Sequence, residues 1–321
     1  MSWLFTICGL CPWTVIAANQ VALHELGQRF ALPKSAVVEW KAPIHLPSKV
    51  TIYRAEPNRF SPAVVSNAMA LGHWSLQHRT NVPGRPRNPD KDFLYFQNAD
   101  GVGYLTVYPR HGLIDYLDEQ ARTPMGARAQ NVPNEKGVVR LGREFLKRLE
   151  IDERDLAKKP DGNLRTYGGQ RIRGQRGVEQ VISRDVYFVR QADGIPFNGI
   201  GNYGGVSLTF GDQGKVAELL LVWPALKPIQ SLPVAAPADF IKHVKQGNAV
   251  IVPGETTELF TSSVQKIVKI TVNDITPFYL GSGTHEPKEI IAPFALLEIT
   301  AHLPKTNFTA TLGCPLVRDV E

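Results

Sequence analysis

The segment EKGVVRLGREFLKRL (135–149), followed after a polar interval by VYFVRQADGIPF (186–197), GVSLTF (205–210) and KVAELLLVW (215–223), decides the fold class. In the first segment Val138, Leu141, Phe145 and Leu149 recur at spacings of three and four with charges between them, the period of an amphipathic helix. The later segments are short and rich in Val, Ile, Leu and Phe, so they read as strands. Between them stand Asp193-Gly194 and Gly211-Asp212-Gln213-Gly214, residue types that tolerate the positive φ of tight turns. A helix followed by an antiparallel meander is therefore expected over 135–223. The polar, Gly- and Arg-rich interval 163–180 is expected to be a long exposed loop.

The same order is read on both sides. Upstream, Val50–Tyr53 forms a short strand, Ser61 offers an N-cap and Pro62 a first helical position. Val64, Val65, Ala68 and Leu71 then give an apolar face that ends at Gly72. The runs Phe93–Asn98 and Val102–Tyr108 meet at Asp100-Gly101, a strong hairpin signal, and Leu113–Leu117 follows the His111-Gly112 turn. Downstream, a short helix from Pro237 and Asp239 through Val244 stops at Gly247, and strands are expected at Ile267–Val272, Phe278–Leu280 and Phe294–His302. Pro224–Pro237 separates this part from the one before it. The expected fold is α+β, with tandem helix-plus-antiparallel-sheet units over 20–125, 126–230 and 231–321 and the helices on one sheet face.

This tandem order resembles the PepSY-like domains of bacterial envelope and secreted proteins. The likeness rests on Gly142–Leu149, on Val186–Arg190 through Asp193-Gly-Ile-Pro196, and on the meander Gly205–Gly211 with Lys215–Leu219. It covers mainly 135–223, with weaker echoes at 50–117 and 237–302. The resemblance implies a non-catalytic binding or regulatory module, and no particular partner.

Composition sets the wider frame. With 43% hydrophobic and 21% charged residues the chain is globular, and 321 residues allow more than one domain. The net charge of +6 is modest for this length and is explained by solubility, although it also suits an anionic partner. Residues 3–18 (WLFTICGLCPWTVIAA) are apolar, shorter than a membrane span and interrupted by Pro12. Small residues at Ala17 and Ala18 suit a signal-peptidase site, while no Lys or Arg precedes the run. A signal peptide over 1–19 and a secreted, periplasmic or envelope location are the expectation. The partner is then a protein, a peptide or an anionic envelope polymer, and nucleic acid is disfavoured.

No motif announces catalysis. Cys8 and Cys11 have redox-pair spacing without a βαβ context, and Cys314 reads as a buried structural cysteine. Gly199-Ile-Gly201-Asn-Tyr-Gly204 has dinucleotide spacing but precedes a strand instead of a helix, so its glycines serve a turn or bulge. His24-Glu25 is followed at the third position by Gln28, so the second histidine of a zinc helix is missing. The acidic groups Asp115, Asp118, Glu119 and Asp152, Glu153, Asp155 read as solvated faces or helix ends. No catalytic residue, metal or cofactor is assigned, and a hydrolase whose site assembles from distant residues is the alternative. The one polar feature that invites a ligand is the Arg/Gly-rich segment 165–176, where Arg165, Arg171, Arg173 and Arg176 are candidate anion-binding residues.

Overall fold

The structure, a computed structural model, describes residues 26–43, 45–58, 60–72, 74–76, 94–98, 102–118, 121, 129–175, 178–197, 204–280 and 290–318. The apolar N-terminal segment, the Asp100-Gly101 hairpin, most of the Gly199–Gly204 glycines and Arg176 lie outside those residues. The chain divides into two compact units. One comprises Met1–Arg54, Pro228–Thr284 and Glu289–Glu321, and the other Ala55–Lys227 with His285–Lys288.

In chain order the first unit begins with β1 (Gln28–Arg29), β2 (Val37–Trp40) and β3 (Lys49–Glu56). The second then supplies α1 (Pro62–Met69), β4 (Trp74–Leu76), β5 (Leu94–Asn98), β6 (Tyr104–Tyr108) and β7 (Leu113–Leu117). It continues with α2 (Glu135–Arg148), β8 (Thr166–Gln175), β9 (Val178–Val189), β10 (Gln191–Ala192), β11 (Ile195–Pro196), β12 (Gly205–Phe210) and β13 (Val216–Val222). The chain returns through β14 (Ala225–Pro233) to α3 (Pro237–Gln246), β15 (Val250–Ile251), α4 (Thr257–Ser263), β16 (Lys269–Leu280), β17 (Ile290–His302) and β18 (Asn307–Pro315).

In the second unit one antiparallel sheet runs β4-β5-β6-β7-β13-β12-β9-β8. Strand alternation sends Phe96, Leu105, Val107, Ile114, Leu219, Leu221, Val206, Leu208, Val186 and Phe188 to one face, where they are buried. Helix α1 adds Val64 and Ala68 to this core, and α2 adds Val138, Phe145 and Leu146. Both helices start where local chemistry dictates. The Ser61 hydroxyl accepts from Val64 N at 3.1 Å, and the Asn134 side chain accepts from Gly137 N at 2.8 Å, each satisfying an otherwise orphaned first-turn amide. Gly142 lets α2 lie directly on Phe188, since a Cβ there would stand 2.5 Å from that ring.

The first unit holds the other large sheet, ordered β1-β15-β18-β17-β16-β2, with β3 paired to β17 and β14. Along that order the strands are antiparallel except β2, which runs parallel to β16 with Lys269 opposite Val37, and β3 is antiparallel to β17. Phe240 of α3 stacks on Trp40 at 5.4 Å, and Phe260 of α4 meets Phe30 edge-on at 4.9 Å. Cys314 is buried on β18, and burial pushes its thiol pKa up, so it is a packing residue.

The expected fold class is corrected here. The described chain is 49% strand and 22% helix, a β-rich fold and not a series of repeated helix-plus-sheet units. The strands assigned to separate units at 94–117 and 186–222 form one continuous sheet, because β7 pairs with β13 from Glu218↔Leu117 to Val222↔Leu113. The strands expected near the C-terminus do not stand alone either. They pair with β1, β2 and β3 from the other end of the chain. Two local expectations also differ. The loop expected at 163–180 is half of the β8–β9 hairpin, and the Pro-rich separator at 224–237 contains strand β14.

Candidate functional site

Strand β8 closes one side of the second unit's sheet, bonded to β9 alone among the described residues. Thr166 stands opposite Phe188, Gly168 opposite Val186 and Gln170 opposite Arg184. Because Val186 and Phe188 face α2, so do Thr166, Gly168 and Gln170. At the start of the strand Val189 N donates to Arg165 O, so alternation turns the odd-numbered backbone groups toward β9. The N–H and C=O of Thr166, Gly168 and Gln170 therefore point off the sheet. Among the described residues that edge is open for pairing.

Beside this edge a cleft of about 960 Å³ lies between α2 and β8. It exists because the strand wall carries Thr166, Gly168 and Gly169, residues too small to fill it. Its other wall is the solvent face of α2. Six cations line it: Lys136, Arg140, Arg143 and Lys147 from α2, Lys159 from the loop before β8, and Arg184 from β9. A residue advances 100° around a helix, so positions 136, 140, 143 and 147 fall within about 60° of one another and form a single stripe.

The arginines are committed. Arg140 pairs with Glu144 at 2.8 Å, and Arg143 binds both carboxylate oxygens of Glu153 at 2.8 Å. Arg184 donates to Pro133 O at 3.1 Å and lies 3.7 Å from Glu135. Lys136, Lys147 and Lys159 are exposed and form no ion pair within 4 Å among the described residues, although Lys159 lies close enough to Asp161 to help lower its pKa. The entry to α2 is fixed by Asp212, whose carboxylate accepts from Asn131 N at 2.7 Å and Gln130 N at 2.9 Å. These backbone donors hold its pKa below the usual carboxylate value. Past the other end of α2, the Arg154 guanidinium does the same to Asp152.

The opposite face of the sheet is polar and internally bonded. Thr209 donates to Asp185 at 2.8 Å, Arg171 meets Glu218 at 3.1 Å, and Tyr167 stacks on Tyr187 at 6.3 Å. Tyr187 donates to Gly204 O at 2.6 Å, and burial pushes its phenol pKa up. Arg190 is buried, with its guanidinium 4.3 Å from the Trp223 ring and one N–H on Pro224 O at 3.0 Å.

The four arginines singled out in the sequence are not brought to one point. Arg165 precedes β8 and gives its backbone N–H to Ala157 O, while Arg171 points away from the cleft to Glu218. Arg173 lies further along β8, and Arg176 is outside the described residues. Of the acidic groups, Asp115 lies 3.4 Å from the Tyr104 hydroxyl, Glu153 holds Arg143 and Asp152 holds Arg154. No group of three or more His, Cys, Asp or Glu suited to a metal occurs among the described residues. The cation stripe of α2 was missed in sequence, although its spacing of four, three and four was there to find.

Neither a protein-family model nor a curated protein matches the chain. Among solved structures it is similar to an uncharacterized protein from Eubacterium rectale, at 10% identity over 94% of this chain and 95% of that one, with a TM-score of 0.43. A likeness of that size carries no functional argument. No helix among the described residues is long and apolar enough to cross a membrane.

Proposed function

We propose that this chain is an exported, non-catalytic binding protein that takes an extended segment of a partner protein as an added strand on β8. The observation that carries the reading is the open β8 edge beside a walled cleft. Unpaired strand edges are templates for β-augmentation, in which backbone hydrogen bonds give affinity and flanking pockets select side chains. Gly168 and Gly169 bring the β8 backbone within reach of an incoming chain. A binding or regulatory role is also what the PepSY-like resemblance implies.

Gln170→Pro tests this without disturbing the sheet. The Gln170 N–H points off the sheet, so proline there removes no β8–β9 bond, and proline is tolerated on edge strands. Peptides selected from a displayed random library on the wild-type protein should bind Gln170→Pro at least about tenfold more weakly, the loss of one or two backbone bonds. The variant's thermal unfolding should be unchanged. Equal affinity for both proteins, or a library that yields no binder, would refute the edge reading.

A further inference from the structure

We infer that the segment bound at β8 is acidic, with carboxylates at alternate positions facing the α2 stripe; this rests on the edge-binding reading above. On the cleft lining six cations stand against Glu135 and Glu144, since the third acid, Asp185, turns its carboxylate to the opposite face, where Thr209 donates to it. The surplus is not spread evenly. Arg140, Arg143 and Arg184 are held by Glu144, Glu153 and Glu135, and Lys159 stands near Asp161, which leaves Lys136 at one end of the stripe and Lys147 at the other.

The two ends are eleven residues apart on α2, a distance of about 16 Å at 1.5 Å per residue. An extended chain advances about 3.4 Å per residue and turns alternate side chains to the same face. Acids at i, i+2 and i+4 therefore all face the helix and span about 14 Å, a match within the reach of two lysine side chains. Helix α2 runs alongside the edge. Its N-terminal end lies at Arg184, opposite Gln170, and Gly142 lies over Phe188, opposite Thr166. The backbone and charge requirements are thus met along one line. That combination fits a peptide, which offers both, and not a nucleic acid or glycan, which offers charge without strand-pairing amides.

The experiment uses two labelled peptides that alternate Thr with Asp or with Asn, measured by fluorescence anisotropy at low and physiological salt. The Asp peptide should bind wild type at least about tenfold more tightly than the Asn peptide, and the difference should shrink as salt screens the lysines. Lys136→Gln/Lys147→Gln, both at exposed sites, should erase the Asp preference and leave folding intact. Gln170→Pro should weaken both peptides. Equal binding of Asp and Asn peptides to wild type overturns the acidic inference and leaves edge binding standing. Failure of both peptides where library-selected ones bind does the same. Equal binding of the Asp peptide to wild type and Gln170→Pro, with polyphosphate competing fully, overturns both in favour of a simple polyanion site.

Discussion

Phe188→Ala is expected to lower the unfolding free energy by about 3–5 kcal/mol, the range for removing a buried aromatic ring from a packed core. Phe188 is fully buried near the C-terminal end of β9. It lies beneath Gly142 on the side of α2 that faces the sheet, so its loss opens a cavity under the helix that forms one cleft wall. Gly142 cannot move closer to fill the space without bending α2. Urea unfolding should show the midpoint fall with little change in slope. Because a domain of this kind is held by only about 5–15 kcal/mol, binding at the cleft should weaken in parallel. A loss under about 1 kcal/mol, ordinary for a surface change, would mean that α2 is not docked on β9.

The second large effect is expected at Gly205, the first residue of β12, which pairs with both β9 and β13. Its φ is +143, a conformation L side chains rarely adopt. A Cβ there would stand 1.9 Å from the Phe188 carbonyl oxygen and 3.1 Å from Arg190 N. Both are backbone atoms, so no rotamer change relieves the clash. The two strands must part, or β12 must change its start. Gly205→Ala should therefore cost about 3 kcal/mol or more, strain and overpacking combined. Gly169→Ala is the control. A Cβ there meets only the Asp185 carboxylate at 3.6 Å, and stability should stay within about 0.5 kcal/mol. Similar losses at both positions would show that the clash is not the cause.

Local chemistry was legible in the sequence wherever a single residue decides a local structure. Asp193 and Gly194 do adopt positive φ at the tight turn between β10 and β11. Gly112 and Gly247 sit in left-handed conformations where turns and a helix stop were expected. Helix α2 spans 135–148 against an expected 135–149, because its apolar period is clean. What failed was long range. Nothing in Leu113–Leu117 or Val216–Val222 says that they pair with each other across about a hundred residues, yet that pairing turns two expected units into one sheet.

Strand β8 was missed for a different reason. An edge strand with few apolar side chains to bury has the composition of a loop, and Gly168, Gly169 and Gly174 lower its strand propensity further. The same property hid the candidate site. The arginines of 165–176 are the conspicuous cations of the sequence, whereas the cleft cations come mainly from α2, whose charges have the pattern of the solvated side of an amphipathic helix.

Hydrogen exchange on β8, with and without a saturating bound peptide, addresses the edge most directly. In the free protein the amides of Tyr167, Gly169 and Arg171, directed at β9, should exchange slowly, and those of Thr166, Gly168 and Gln170 quickly. Peptide binding should slow the even-numbered amides and leave the odd-numbered ones as they were. Even-numbered amides that exchange equally fast under saturation would contradict strand addition and place the peptide elsewhere on the protein.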